Sequence, residues 1–253
     1  MPEARLLTLP FSHYCEKARW ALDATGVAYH EDAYMPGAHA RATRAVGGKT
    51  VPVLVDGATV LCDSTDIALY ADSVAPSLRR LVPEDSEARG LVLAIEEELD
   101  ETLGKDARLI AYAYQLGTGE VARRFLQELL RMPSPVARLA APIVRALIFR
   151  AYRVTPERTV RAKARVRETF ERLGERLRGA GYLVGGSFTL ADLTLAALAT
   201  PLLSPPEHPV MGHLQLTAAP ELEAFRAELL STPTGEHAMR MYREHRRAGA
   251  IAR

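Results

Sequence analysis

Phe11-Ser12-His13-Tyr14-Cys15-Glu16-Lys17-Ala18-Arg19-Trp20, the stretch FSHYCEKARW, has the outline of a redox elbow with one sulfur missing. Before it, the apolar run Arg5–Leu9 reads as a short strand that Pro10 closes. After it, Tyr14–Thr25 places Cys15, Ala18 and Trp20–Leu22 at helical spacing, and Gly26 stops the helix. A thiol–disulfide enzyme carries C-x-x-C at such a turn; here Ser12 stands at the first position. The first N–H groups of a helix lack internal partners and the helix dipole adds partial positive charge, so the turn suits an anion. A sulfur held there has a depressed pKa. Ser12 has no base to make it a nucleophile, yet its hydroxyl can donate to a thiolate supplied from elsewhere. Taken by itself, it reads equally as an N-cap.

Outward from the elbow, Val27–Ala33 resumes as a strand and a short helix is expected around His39–Ala45. Val51–Val55 and Thr59–Cys62 are strands flanking the hairpin signal Asp56-Gly57, and Ser64–Ser73 is a helix. The order β-α-β-α-β-β-α fills one small domain, residues 1–82. Pro83-Glu84-Asp85 marks its end. Beyond it the strand pattern disappears. Ser86–Gln115, Glu120–Arg131, Pro135–Arg153, Thr159–Gly179, Leu190–Thr200 and Ala219–Leu230 read as helices of an all-helical domain, residues 86–253. The expected fold class is a small α/β domain followed by an all-α domain.

Composition narrows the function. The chain has 253 residues, 48% hydrophobic and 25% charged, the balance of an ordinary folded protein. A net charge of +1 gives no field directed at nucleic acid or membrane. MPEARLLTLPF carries an acid and an early proline and has too short an apolar run for an export signal. The two cysteines, Cys15 and Cys62, are therefore expected to be free thiols in a cytoplasmic protein. Seven histidines show no H-E-x-x-H or paired C-x-x-C spacing, so no metal site is expected.

Two further stretches resemble binding elements. Thr50-Val51-Pro52-Val53 puts a proline just before a strand, where its missing N–H suits an edge, a bulge or a cis turn. A cis bond there would turn the Val51 amide and carbonyl outwards, towards an extended peptide. Cys62-Asp63-Ser64-Thr65 ends a strand and opens a helix, a place for a carboxylate.

With these residues the sequence resembles the glutathione transferase superfamily over nearly its whole length. Ser12-x-x-Cys15 with Lys17-Ala18-Arg19-Trp20-Ala21-Leu22 is similar to the elbow and first helix of that family's thioredoxin-like domain. Val51-Pro52 is similar to its cis-proline, and Asp63-Ser64 to its acid–serine pair. Gly186-Ser187-Phe188-Thr189-Leu190-Ala191-Asp192 is similar to the capping signature of its helical domain. The resemblance implies glutathione as co-substrate, held by Val51, Pro52, Asp63 and Ser64, with His39 and Lys49 placed to reach its glycine carboxylate. His39 reads equally as a solvated loop residue, and Lys49 likewise. It also implies Ser12 as the donor to the glutathione sulfur, with Tyr14 and His13 as alternatives in the same elbow. Tyr14, Tyr112 and Tyr114 are acceptor-site candidates, although Tyr112 and Tyr114 fit core packing as well. The implied reaction is attack of the glutathione thiolate on a small apolar electrophile, in a homodimer. Glutathione-dependent isomerisation, dehalogenation or binding without catalysis are the alternatives.

In the helical half, Thr189 and Asp192 form a capping box, with Phe188 and Leu193 placed for a hydrophobic staple. Glu96, Glu97, Glu98, Asp100 and Glu101 read as a solvated face with i,i+4 pairs to Lys105 and Arg108. Cys15 reads as a packed core residue. From Leu129 to Pro156 there is no acid, while Arg131, Arg138, Arg145, Arg150 and Arg153 recur. Pro133, Pro135, Pro142 and Pro156 suggest a broken helix, a lid or wall on its own domain rather than a flat membrane anchor.

Overall fold

The first five residues with strand character already fix the sheet. Leu6 and Leu7 are both buried, so β1 (Ala4–Thr8) is covered on both faces and belongs at the sheet's interior. The structure is a computed structural model that describes residues 4–130, 132–212 and 219–246. Arg131, the expected end of one helix, lies outside the described residues, as do 247–253 of the expected helical domain.

β1 leads through α1 (His13–Thr25) to β2 (Tyr29–Ala33), which pairs with it in parallel. After α2 (Ala38–Ala45), β3 (Val53–Asp56) runs antiparallel to β1, and β4 (Thr59–Leu61) antiparallel to β3. The sheet order is β2-β1-β3-β4. Gly57, at φ 59°, makes the turn that Asp56-Gly57 predicts. α3 (Ser64–Val74) lies against α1, and Ala18 and Leu22 of α1 meet Leu6, Leu54, Ile67 and Ala71 in one core.

The helices that follow are α4 (Ser86–Glu101), α5 (Leu103–Gln115), α6 (Gly119–Leu130), α7 (Ser134–Tyr152), α8 (Pro156–Leu177), α9 (Leu190–Leu203), α10 (Pro220–Leu230) and α11 (Pro233–His245). Four of them, α4, α5, α7 and α11, differ from the sequence reading. The expected single helix Ser86–Gln115 is interrupted at Thr102, whose φ of −112° and ψ of −72° leave the helical ladder. α11 was not anticipated; its Pro233 sits at the first helical turn, where a missing N–H costs nothing. α7 is one continuous helix of 19 residues: Pro135 lies in its first turn, and Pro142 is carried inside it rather than ending it.

The chain divides into two compact units that do not follow chain order. One joins the described residues of 1–99 to those of 180–198 and 240–253; the other joins the described residues of 100–179 to those of 199–239. In the first, the Asp192 carboxylate accepts from the N–H groups of Leu183 (2.9 Å) and Thr189 (3.0 Å) and from the Thr189 hydroxyl (2.9 Å). Asp192 thus reaches back as the capping box requires and also fastens the preceding loop. Phe188 stacks on His245 and Trp20, with ring centroids 4.3 Å and 5.9 Å away. In the second unit, α5 packs on α8, and the Asp106 carboxylate accepts both arms of Arg165 at 2.5 and 2.7 Å.

Candidate functional site

The registers bring the three expected binding stretches to one edge of the sheet. Leu7 of β1 is opposite Val53 of β3, and Leu54 opposite Leu61 of β4. Residues just after β1, just before β3 and just after β4 must therefore emerge on the same side. Those residues are Ser12 in the elbow, Val51-Pro52, and Cys62-Asp63-Ser64. Thr8 pairs with Ala33, so the segment carrying α2 leaves from that edge as well.

Ser12 adopts extended backbone angles (φ −79°, ψ 122°) as the N-cap of α1. Its Oγ accepts from the Cys15 N–H at a long 3.4 Å. A cap uses an oxygen lone pair and leaves the hydroxyl proton to point elsewhere. The cap and donor roles are therefore compatible. Cys15 is buried, and burial pushes its thiol up against the opposing pull of Arg19 and of the Ser12 hydrogen bond. It is held as a neutral thiol in the core, as the packing reading expects. Tyr14 is half-buried with its ring 4.5 Å from that of His13, which is buried.

The Val51–Pro52 peptide is cis. Val51 lies beyond the β1–β3 ladder, which begins at Val53, so its backbone faces the elbow edge. Asp63 caps α3 by accepting from the Thr65 N–H at 2.7 Å. Ser64, the first residue of α3, is 2% exposed, and its Oγ is buried with no hydrogen-bond partner among the described residues. Leaving a buried hydroxyl unpaired costs about 1–3 kcal/mol. Behind it, buried Lys17 and Glu96 close a triad with half-buried Thr65. The Lys17 ammonium donates to Glu96 and, at 2.9 Å, to the Thr65 hydroxyl, which donates to Glu96 at 2.8 Å. Glu96 is thus buried rather than on the solvated face expected of it, because the facing helix supplies a cation; Glu101 and Lys105 do form the expected i,i+4 pair.

His39 is half-buried and its Nδ1 accepts from the Gly37 N–H at 3.2 Å, which puts the ring proton of the neutral form on Nε2 as a donor. Lys49 is exposed. It follows Gly48, where a Cβ would come within 2.8 Å of Val53 and 3.4 Å of the Cys62 sulfur, so only glycine seats this loop against β3. In the other unit, the Tyr112 ring lies 5.0 Å from that of Tyr152, packed with Leu116 and Ala122, and burial pushes its phenol up. The Lys163 ammonium lies 5.5 Å from the Tyr114 ring.

Sequence reasoning missed the charged interior behind the elbow. Glu16 and Arg19 of α1 are buried, and Arg246 beyond α11 reaches Glu16. Its Nε donates to Glu16 at 2.6 Å and its second arm to Asp23 at 2.8 Å, while Arg19 donates to Glu31 at 2.8 Å. Burial opposes the Arg19 charge, but Glu31, Cys15 and Glu16 together more than offset it, so the guanidinium stays protonated. Among the described residues no cluster of His, Cys, Asp and Glu is arranged to hold a metal.

A family model for the glutathione S-transferase N-terminal domain matches residues 6–79, and one for the C-terminal domain matches residues 139–233. The chain belongs to the glutathione transferase superfamily. No curated protein sequence matches it. Among solved structures it is similar to the beta-etherase LigF of Sphingobium sp. strain SYK-6, at 18% identity and a TM-score of 0.58, over 94% of this chain and 99% of that one. A glutathione S-transferase of Methylobacillus flagellatus with glutathione bound is similar at 19% identity and a TM-score of 0.56, over 93% and 98%. A theta class glutathione S-transferase of Xanthomonas axonopodis pv. citri with glutathione bound is similar at 20% identity and a TM-score of 0.53, over 94% and 98%. These likenesses are of fold.

Proposed function

We propose that the chain is a glutathione transferase whose Ser12 hydroxyl stabilises the thiolate of bound glutathione for attack on a small apolar electrophile. The unpartnered, buried Ser64 Oγ at the N-terminus of α3 carries this reading. A hydroxyl kept dry and unpaired beside a helix N-terminus is completed by a carboxylate, as the γ-glutamyl end of glutathione would supply. The exposed Asp63 carboxylate beside it suits the ammonium of the same end. Val51 would pair its backbone with the cysteinyl part next to the cis-Pro52, which directs the sulfur to Ser12. His39 through Nε2, and Lys49, are proposed for the glycine carboxylate. Tyr14, Tyr112 and Tyr114 are proposed for the acceptor side. A homodimer in the cytoplasm completes the proposal.

The energetics are sufficient. Lowering a thiol pKa from about 8.5 to about 6.5 requires about 2.7 kcal/mol in favour of the thiolate. A charge-assisted hydrogen bond of about 1.5–3 kcal/mol and a helix N-terminus of roughly 0.3–1 kcal/mol supply it. Calorimetry with glutathione tests the binding half. Ser64→Ala is expected to lower affinity by roughly 1–3 kcal/mol, about five- to hundredfold, with the fold intact. Wild-type affinity in that variant would place the tripeptide elsewhere.

A further inference from the structure

Helix α7 presents apolar side chains on two sides, and only one of them is covered. Ala137 and Ala141 are buried, and Ala140, Val144, Ile148 and Phe149 pack with them on the cluster of Leu116, Ala122 and Leu126. On the other side, Val136, Leu139, Ile143 and Leu147 are 50%, 75%, 62% and 62% exposed. Their spacing of three, four and four residues makes one stripe, unbroken because the helix continues through Pro142. Single exposed apolar residues are ordinary; a contiguous stripe marks a binding surface.

Charge selects the occupant. The sequence between Leu129 and Pro156 holds five arginines and no acid. Arg145 turns inward, donating to the Leu116 carbonyl at 2.9 Å with its guanidinium 4.3 Å from the Phe149 ring. Arg138, Arg150 and Arg153 are exposed. A second copy docked here about a two-fold axis would oppose arginine to arginine with no carboxylate on α7 to answer them. A bilayer surface with anionic headgroups answers both features: the stripe enters the acyl boundary while long arginine side chains reach the phosphates. Among the described residues no helix is long and apolar enough to cross a membrane, so the helix would lie in the surface plane. We infer that α7 docks the protein reversibly on an anionic lipid surface through Leu139, Ile143 and Leu147. This inference does not depend on the glutathione reading.

Co-sedimentation of the full chain with vesicles of phosphatidylserine and phosphatidylcholine tests it, against vesicles of phosphatidylcholine alone. The full chain is expected to pellet with the anionic vesicles, and added salt should release it. Leu139→Ser/Ile143→Ser/Leu147→Ser should weaken binding roughly tenfold or more. Arg150→Gln/Arg153→Gln, at the end of the helix where the stripe runs out, should weaken it roughly fivefold for each charge removed. All five positions are exposed, so thermal melts followed by circular dichroism should match the parent; if the serine variant melts early, the arginine variant decides. A chain that stays in the supernatant with anionic vesicles overturns the inference, as does binding unchanged by salt and by the arginine variant. So does light scattering that shows a lipid-independent assembly dissolved by the serine substitutions, which would assign the stripe to a second copy.

Discussion

Lys17 carries its charge where no water reaches it, and its worth depends on Glu96 and Thr65 being in place. Removing one partner of a buried ion pair strands the other, at a cost of about 3–5 kcal/mol, whereas replacing both with apolar groups is often nearly neutral. Lys17→Met is therefore expected to lower the unfolding free energy by that much, read as a fall in the denaturant midpoint, and adding Glu96→Leu should restore most of it. A Lys17→Met midpoint equal to the parent's would contradict the triad. The sequence did not disclose this pair. Glu16, Lys17 and Arg19 look like the polar residues of any helix, and charged residues are almost never fully buried unless paired. Their partners lie far along the chain, Glu96 at 79 residues from Lys17 and Arg246 at 230 from Glu16, so no local pattern links them. The resemblance marks Ser64 as a candidate ligand residue, but its unpaired burial was not legible in the sequence.

At the scale of elements, Asp192 is the joint between the loop before α9 and the helix itself. Asp192→Ala would leave the buried N–H groups of Leu183 and Thr189 without this acceptor, at about 1–3 kcal/mol each, so a loss of roughly 2–6 kcal/mol is expected in denaturant unfolding. Thr189→Ala keeps both backbone bonds and should cost only about 1 kcal/mol. Equal losses in the two variants would mean that the hydroxyl, not the backbone acceptor, fastens the turn. Local signals of this kind were legible: Gly26 ends α1 at φ 80°, Asp56-Gly57 turns β3 into β4, and Thr189-x-x-Asp192 opens α9. What local signals did not give was the fate of a proline. Four prolines between 133 and 156 suggest a broken segment, yet two of them begin helices and Pro142 is accommodated within α7. Packing of Ala137, Ala141 and Val144 on their neighbours outweighs the one hydrogen bond that Pro142 cannot donate. Thr102 shows the reverse case, a helix interrupted where the sequence carries no proline and only a nearby Gly104.

At the scale of the molecule, a change from strand to helix grammar near Pro83 was enough to predict a small α/β domain followed by helices, because period-2 and period-3.6 patterns do not mix within one element. Compactness divides the chain differently, since 180–198 and 240–253 group with the first 99 residues, and no local pattern encodes such grouping. The fold also dictates where chemistry collects. The β1–β3–β4 registers put the elbow, the cis-proline turn and the start of α3 on one sheet edge, the arrangement the proposed glutathione site requires of residues 12, 51 and 64. In the proposed function this edge turns the sulfur of bound glutathione into a thiolate through Ser12. Ultraviolet titration of the enzyme–glutathione complex measures that ionisation directly. A bound-thiol pKa of about 6.5 is expected, against about 8.5 for the free thiol, with Ser12→Ala raising it by at least about one and reducing kcat more than glutathione affinity. A bound-thiol pKa equal to that of free glutathione, or one unchanged by Ser12→Ala, would contradict it.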